Sequence, residues 1–163
     1  MSGIHRLEAT QVLSVTVAEA WAFFSDPRNL SRITPPDMDF RITSEVPARM
    51  YEGMMITYTL RPLLGLPVRW ATEITHVDEG FRFVDEQRVG PYAMWHHEHT
   101  FTPVAGGVEM RDLVYYALPF GLLGDAAHAL AVGARVRAIF EYRRRVLTVQ
   151  FGRPPVDVVT AAG

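Results

Sequence analysis

The sequence contains no cysteine. Disulfide bonds, cysteine nucleophiles and cysteine-based zinc sites are therefore excluded. No apolar run approaches the ~20 residues that a membrane-spanning helix needs, and the N-terminal segment lacks the apolar core of a secretory signal peptide. We therefore expect a cytoplasmic protein without a membrane span.

An excess of basic charge is also missing. Sixteen Lys and Arg residues are offset by eighteen Asp and Glu residues, and the densest basic run is Arg143-Arg144-Arg145. On a helix these three side chains point in different directions, so the run predicts a solvated face with one inward residue. We therefore expect no nucleic-acid partner. The sequence has no long acidic, basic or amphipathic segment of the kind that would indicate a protein-interaction module.

Two frequent catalytic signatures are absent. The sequence has no G-x-S-x-G nucleophile motif and no phosphate-binding glycine loop of the P-loop or dinucleotide type. The 163 residues suit one domain, which we place at 1–152. The remaining segment, 153–163, begins with two prolines after Arg153 and reads as a C-terminal tail.

Periodicity and turn residues divide the chain into one strand, two short helices, six strands and a long helix. The first strand is predicted near 4–15. Thr16 and Glu19 form a capping box that starts the first short helix, and Asp26 followed by Pro27 starts the second. The remaining strands are predicted at 39–46, 54–61, 68–77, 81–87, 93–103 and 108–117.

The last predicted element is a helix near 122–150. Apolar residues recur in it at helical spacing, and Gly133 marks a position where it can kink. A curved antiparallel sheet of about seven strands, wrapped around this helix, is the simplest arrangement that buries the apolar stripe. The predicted fold class is α+β.

The segment MWHHEHTF, residues 94–101, carries three histidines and a glutamate. Because alternate residues of a strand share a face, His97 and His99 lie on the side of Trp95 and Phe101, whereas His96 and Glu98 lie on the other. The aromatic side is the inner one. The four polar residues therefore do not form one chelating cluster.

The next strand presents Met110, Asp112, Val114 and Tyr116 to the same side. If Ala105-Gly106 form a two-residue turn, Phe101 opposes Met110 and His99 opposes Asp112. Directly opposed side chains have Cβ atoms ~5 Å apart, so a hydrogen bond between His99 and Asp112 is within reach. A different loop length would shift the partner by two residues.

The inner face then holds more polar groups than a packed core tolerates. A ligand cavity accommodates such groups, because they meet ligand or water there. The candidate ligand-binding residues are Tyr58, Trp70, Phe83, Asp85, Gln87, Trp95, His97, His99, Asp112, Tyr116 and Arg143.

Several long segments resemble one superfamily. They are FFSDPRNLSRITPP (23–36), YTLRPLLGLPVRW (58–70), FVDEQRVGPYAMWHHEHTF (83–101), YALPFG (116–121) and IFEYR (139–143). Over roughly 4–152 the chain resembles the START-like, helix-grip (SRPBCC) superfamily, and within it a bacterial ligand-binding branch similar to polyketide cyclases and dehydrases. The resemblance implies a cavity between sheet and C-terminal helix, with mouth loops at RPLLGLP (61–67) and RVGPY (88–92). Leu63, Leu64 and Leu66 either gate that mouth or pack under the sheet.

The preferred function is binding of a small, mostly apolar molecule, aromatic or lipid-like, in this cavity. The alternative is a cyclase or dehydratase in which His99, Asp112 and His97 transfer protons. A metal held by His97 and His99 with Asp112 or Asp85 is a further alternative, but two histidines two residues apart are weak evidence. We expect no metal and no cofactor. Arg143 either pairs inward with Asp85, Asp112 or an anionic ligand, or extends to the surface.

Overall fold

The computed structural model describes residues 3–62, 64–121, 123, 126 and 131–152. The predicted tail, 153–163, and Leu63 lie outside these residues. Within the described part of the chain, no helix is long and apolar enough to cross a membrane.

Seven antiparallel strands form one sheet in the order β1-β7-β6-β5-β4-β3-β2. Their bounds are β1 His5–Leu13, β2 Arg41–Ile42, β3 Met55–Leu60, β4 Val68–Asp78, β5 Arg82–Val89, β6 Met94–Val104 and β7 Gly107–Ala117. Register shifts interrupt the β4–β5 pairing after Ala71 and after Ile74. Such irregularities bend a sheet and contribute to the curvature that leaves an interior on one side.

The predicted register of the β6–β7 hairpin is confirmed. Phe101 pairs with Met110, His99 with Asp112 and Val104 with Gly107, because a two-residue turn fixes the alignment of both strands. Gly107 is required by packing, since a Cβ atom there would lie 1.9 Å from the Leu13 carbonyl oxygen.

The first helix, α1, spans Val17–Phe24 and begins with the predicted capping box. The Glu19 backbone N–H donates to Thr16 Oγ1 at 3.2 Å, and the Thr16 N–H donates to Glu19 Oε2 at 2.8 Å. The second predicted helix is a 3-10 helix, Pro27–Arg32, which Asp26 caps by accepting from the Arg28 N–H at 3.0 Å. A short 3-10 turn that we did not predict follows at Pro36–Met38.

The long C-terminal helix, α2, spans Gly133–Phe151. Residues 122, 124–125 and 127–130 of the predicted span lie outside the described residues, and Ala131 and Val132 have π-helical geometry. Val136, Phe140, Arg143 and Leu147 are buried at spacings of four, three and four residues. This stripe faces the concave side of the sheet, as in the predicted helix-grip fold.

Candidate functional site

A cavity of about 190 Å³ lies between the concave face of the sheet and α2. Apolar and aromatic side chains from the sheet, α1, the first 3-10 helix and α2 make up most of its wall. Eight of the residues predicted to bind ligand line it. They are Tyr58, Trp70, Phe83, Asp85, Trp95, His97, His99 and Arg143.

The other three predicted residues are not among the described residues that line this cavity. Gln87 uses both ends of its amide on the backbone of Tyr92, donating to the carbonyl at 2.7 Å and accepting from the N–H at 3.2 Å. Tyr116 is 3% exposed and packs behind Tyr92 and Trp95, with ring centroids 5.7 and 5.8 Å away. Asp112 lies behind the imidazoles. These three residues support the wall instead of forming it.

Twenty of the residues that line the cavity were missing from the predicted set, and Tyr92, Ile139 and Phe140 are examples. Tyr92 follows the Gly90-Pro91 turn and contacts Trp70 and Trp95, and Ile139 and Phe140 reach the cavity from α2. Ile139 and Phe140 are among the apolar residues that recur at helical spacing in the sequence of α2. Periodicity does not distinguish a stripe residue that fills a core from one that borders a cavity.

Two histidines and two carboxylates meet at one end of the cavity. His97 Nε2 is hydrogen-bonded to Asp112 Oδ1 at 3.0 Å, and His99 Nε2 to Asp85 Oδ2 at 2.9 Å. The second nitrogen of each ring is close to the other carboxylate: His97 Nδ1 lies 3.5 Å from Asp85 Oδ2, and His99 Nδ1 lies 2.9 Å from Asp112 Oδ1. The rings are 3.8 Å apart between centroids. Each imidazole therefore stands between the same two carboxylates.

Arg143 completes this cluster from α2. It is 7% exposed, so it does not extend to the surface. Its Nη2 lies 3.2 Å from Asp112 Oδ1 and 3.4 Å from His99 Nδ1, which is one of the inward pairings expected from the sequence. We call Asp85, His97, His99, Asp112 and Arg143 the polar cluster.

Burial and pairing act in opposite directions on the carboxylates of the polar cluster. Burial raises the pKa of Asp112, but Arg143 and the two histidines outweigh it and hold this pKa well below its ordinary value. Burial likewise opposes ionisation of Asp85, and the histidines and Arg143 again bring its pKa below the ordinary value. Both carboxylates are therefore ionised.

The two histidines differ although they are neighbours. Burial, followed by the charge of His99, lowers the pKa of His97. Burial acts against protonation of His99 too, but the contacts with Asp112 and Asp85 outweigh it and raise the pKa of His99. When His99 is protonated and His97 is neutral, the positive charges of His99 and Arg143 balance the negative charges of the two carboxylates. A buried charged cluster avoids a net charge in this way.

The other two polar residues of the segment at 96–99 are separate from the site. His96 is hydrogen-bonded through Nδ1 to Glu86 at 2.9 Å, and Glu98 lies near Arg82 and Arg111. These groups belong to the outer face of the sheet, as the alternation predicts. His99, Asp112 and His97, the residues of the predicted acid–base alternative, are brought together by the fold. Their catalytic role stays a prediction.

Exposed apolar side chains surround a second hollow beside the main cavity. This hollow, about 300 Å³, shares Pro62, Tyr92 and Ile139 with the main cavity.

Leu64 and Leu66 of the 61–67 loop are 85% and 63% exposed, so they do not pack under the sheet. Their role as a gate stays a prediction.

No protein-family model and no curated protein matches the chain. Solved structures do match. Protein TTHA0849 from Thermus thermophilus aligns with a TM-score of 0.67 and 17% identity over 90% of this chain and 99% of its own. Ara h 8.0201 gives 0.63 and 16% over 90% and 99%. Major latex-like protein 151 from Panax ginseng gives 0.64 and 10% over 91% and 97%. At these identities the likeness shows a shared helix-grip fold.

Proposed function

We propose that this protein binds a small, mostly apolar molecule, aromatic or lipid-like, in the main cavity, with a polar end of the molecule at the polar cluster. The observation that carries the proposal is a wall of aromatic rings that ends at ionised and hydrogen-bonding groups. Apolar walls with a few convergent polar groups are typical of small-molecule sites, because the walls supply area and the polar groups set orientation.

Two donors in the wall support a ligand with an acceptor group. Trp70 Nε1 and Arg143 Nε are buried and have no hydrogen-bond partner among the described residues. A buried N–H without a partner costs about 1–3 kcal/mol, so an acceptor that reaches either atom gains that energy on binding. A carbonyl, carboxylate or hydroxyl oxygen on the ligand would serve. The same fold in the solved structures that match the chain is compatible with such a cavity.

A fluorescence titration with 1-anilinonaphthalene-8-sulfonate tests this proposal. The probe joins aromatic rings to an anionic oxygen group. Its rings complement the aromatic wall of the cavity, and its oxygen atoms are acceptors for the unpaired donors in that wall. We expect saturable binding of one equivalent to the wild type. The Ile139→Trp substitution enlarges a side chain that lines the cavity and should weaken binding at least tenfold.

The matched control is Val149→Trp, which adds the same ring on α2 at a position that is 88% exposed. It should bind the probe like the wild type. Circular dichroism establishes that both variants are folded. A folded Ile139→Trp variant with wild-type affinity would show that the probe binds elsewhere and would overturn the proposal. Binding of the probe to the wild type that never saturates in the titration would also overturn the proposal.

A further inference from the structure

The two carboxylates of the polar cluster contact the histidines in different ways. Asp85, His97 and His99 all line the cavity, and Asp112 does not. One potential ligand atom from each of Asp85, His97 and His99 lies within 4.8 Å of the other two. In the described part of the chain, no second group of three such residues is this compact.

The geometry points to a site for a divalent transition-metal ion, held by Asp85 Oδ2, His97 Nδ1 and His99 Nε2. Asp85 Oδ2 lies 2.9 Å from His99 Nε2 and 3.5 Å from His97 Nδ1. Atoms bound to one tetrahedral ion at about 2.1 Å are about 3.4 Å apart. These two separations therefore already lie near the values that an ion would impose.

Asp112 is placed as the outer partner of both proposed histidine ligands. Its Oδ1 lies 3.0 Å from His97 Nε2 and 2.9 Å from His99 Nδ1, the two nitrogens that face away from the proposed ion. Metal-bound histidines usually donate their second N–H to a carboxylate, which fixes the ring and raises its basicity. Here Asp112 is hydrogen-bonded to His97 Nε2 and lies within reach of His99 Nδ1, a nitrogen that Arg143 Nη2 also approaches at 3.4 Å. Arg143 balances the charge of Asp112 at 3.2 Å.

The ligand set indicates which ions to test. Two imidazole nitrogens and one carboxylate suit Zn²⁺, Fe²⁺ or Co²⁺, whereas Mg²⁺ and Ca²⁺ prefer oxygen ligands. An ion would replace the hydrogen bond between His99 Nε2 and Asp85 Oδ2, the proton of that bond would pass to solvent, and the remaining coordination positions of the ion would face the cavity. The polar end of a cavity ligand, or water, would fill them. The sequence analysis named this ligand set only as an alternative to its expectation of no metal, because two histidines two residues apart are weak evidence by themselves.

Metal binding is tested on the wild-type chain, free of affinity tags, stripped with EDTA and titrated calorimetrically with ZnCl₂ and CoCl₂ without any cavity ligand. We expect one equivalent to bind, with intensified Co²⁺ visible absorption bands from a site of low coordination number. The His99→Ala variant should lose this equivalent. Asp112→Asn should keep the stoichiometry and bind about 10–100-fold more weakly, as expected for an outer partner.

His96→Ala is the matched control, since His96 is on the same strand but bonds Glu86 on the outer face. It should bind metal like the wild type. If His99→Ala does not fold, imidazole ¹⁵N shifts of the wild type on Zn²⁺ addition give the same test, since His97 and His99 should shift and His96 should not. No stoichiometric binding by the wild type would overturn the metal site. So would binding that a folded His99→Ala variant retains, or ¹⁵N shifts confined to other histidines. Because the assay contains no organic probe, its failure leaves the cavity proposal standing.

Discussion

The ion pair between Asp112 and Arg143 offers a sharp test of how the interior is held together. Asp112 is 1% exposed and Arg143 is 7% exposed, so replacing Asp112 by Ala removes the carboxylate that lies 3.2 Å from a buried guanidinium. Breaking a buried pair in this way costs about 3–5 kcal/mol. In urea denaturation at an m-value of about 2 kcal/mol/M, the midpoint should fall by about 1.5–2.5 M. The measurement is made in EDTA, so that no metal contributes to stability.

The control is an ion pair between two residues of α2, the helix that carries Arg143. Arg144 and Glu141 are 2.7 Å apart, but both side chains are 47% exposed, and exposed pairs contribute about 0–1 kcal/mol. Glu141→Ala should therefore hardly move the midpoint.

The double variant Asp112→Ala/Arg143→Met removes both buried charges. It should be more stable than the two single effects predict, by about 0.5–3 kcal/mol. An Asp112→Ala cost no larger than that of Glu141→Ala, or a double-mutant cycle without coupling, would refute the reasoning.

Two further predictions concern the frame around the cavity. Thr16→Ala removes the side chain that caps α1 and bonds Glu19, which should lower the free energy of unfolding by about 1 kcal/mol and the melting temperature by about 2–4 °C; an unchanged melt would mean that the cap contributes nothing. Gly107→Ala forces a Cβ atom against the Leu13 carbonyl oxygen, so strand β1 must move from β7 at a cost of about 1–3 kcal/mol. A neutral Gly107→Ala in chemical denaturation would contradict the close approach.

Much of the sheet could be predicted because its signals are local. The Ala105-Gly106 turn fixes the β6–β7 register, and strict alternation assigns each residue of those strands to a face. The predicted strand at 39–46 was less successful, since only Arg41–Ile42 pairs in the sheet. Asp39 adopts a positive φ of 44° just before it, a conformation that interrupts extended structure and that the sequence pattern did not reveal.

The polar cluster shows where local signals end. Register pairs His99 with Asp112 across β6–β7, and His97 with Asp85 across β5–β6. The aligned hydrogen bonds nevertheless run diagonally, from His97 to Asp112 and from His99 to Asp85. A strand pattern gives the opposed residues, but the choice between opposed and diagonal partners depends on the rotamers of long side chains. Sequence alone therefore identified the members of this cluster and missed its connectivity.

That connectivity determines what the cluster can do. If each carboxylate contacted only the directly opposed ring, the site would consist of two separate His–Asp pairs. Asp85, His97 and His99 would then not present three ligand atoms to the cavity together. In the observed arrangement both rings span the gap between Asp85 and Asp112, so one nitrogen of each ring is held from behind and the other faces Asp85. Arg143 adds to the difference between the two carboxylates, because it lies 3.2 Å from Asp112. The more exposed carboxylate and the two inward nitrogens are therefore the groups that a ligand or an ion in the cavity meets first.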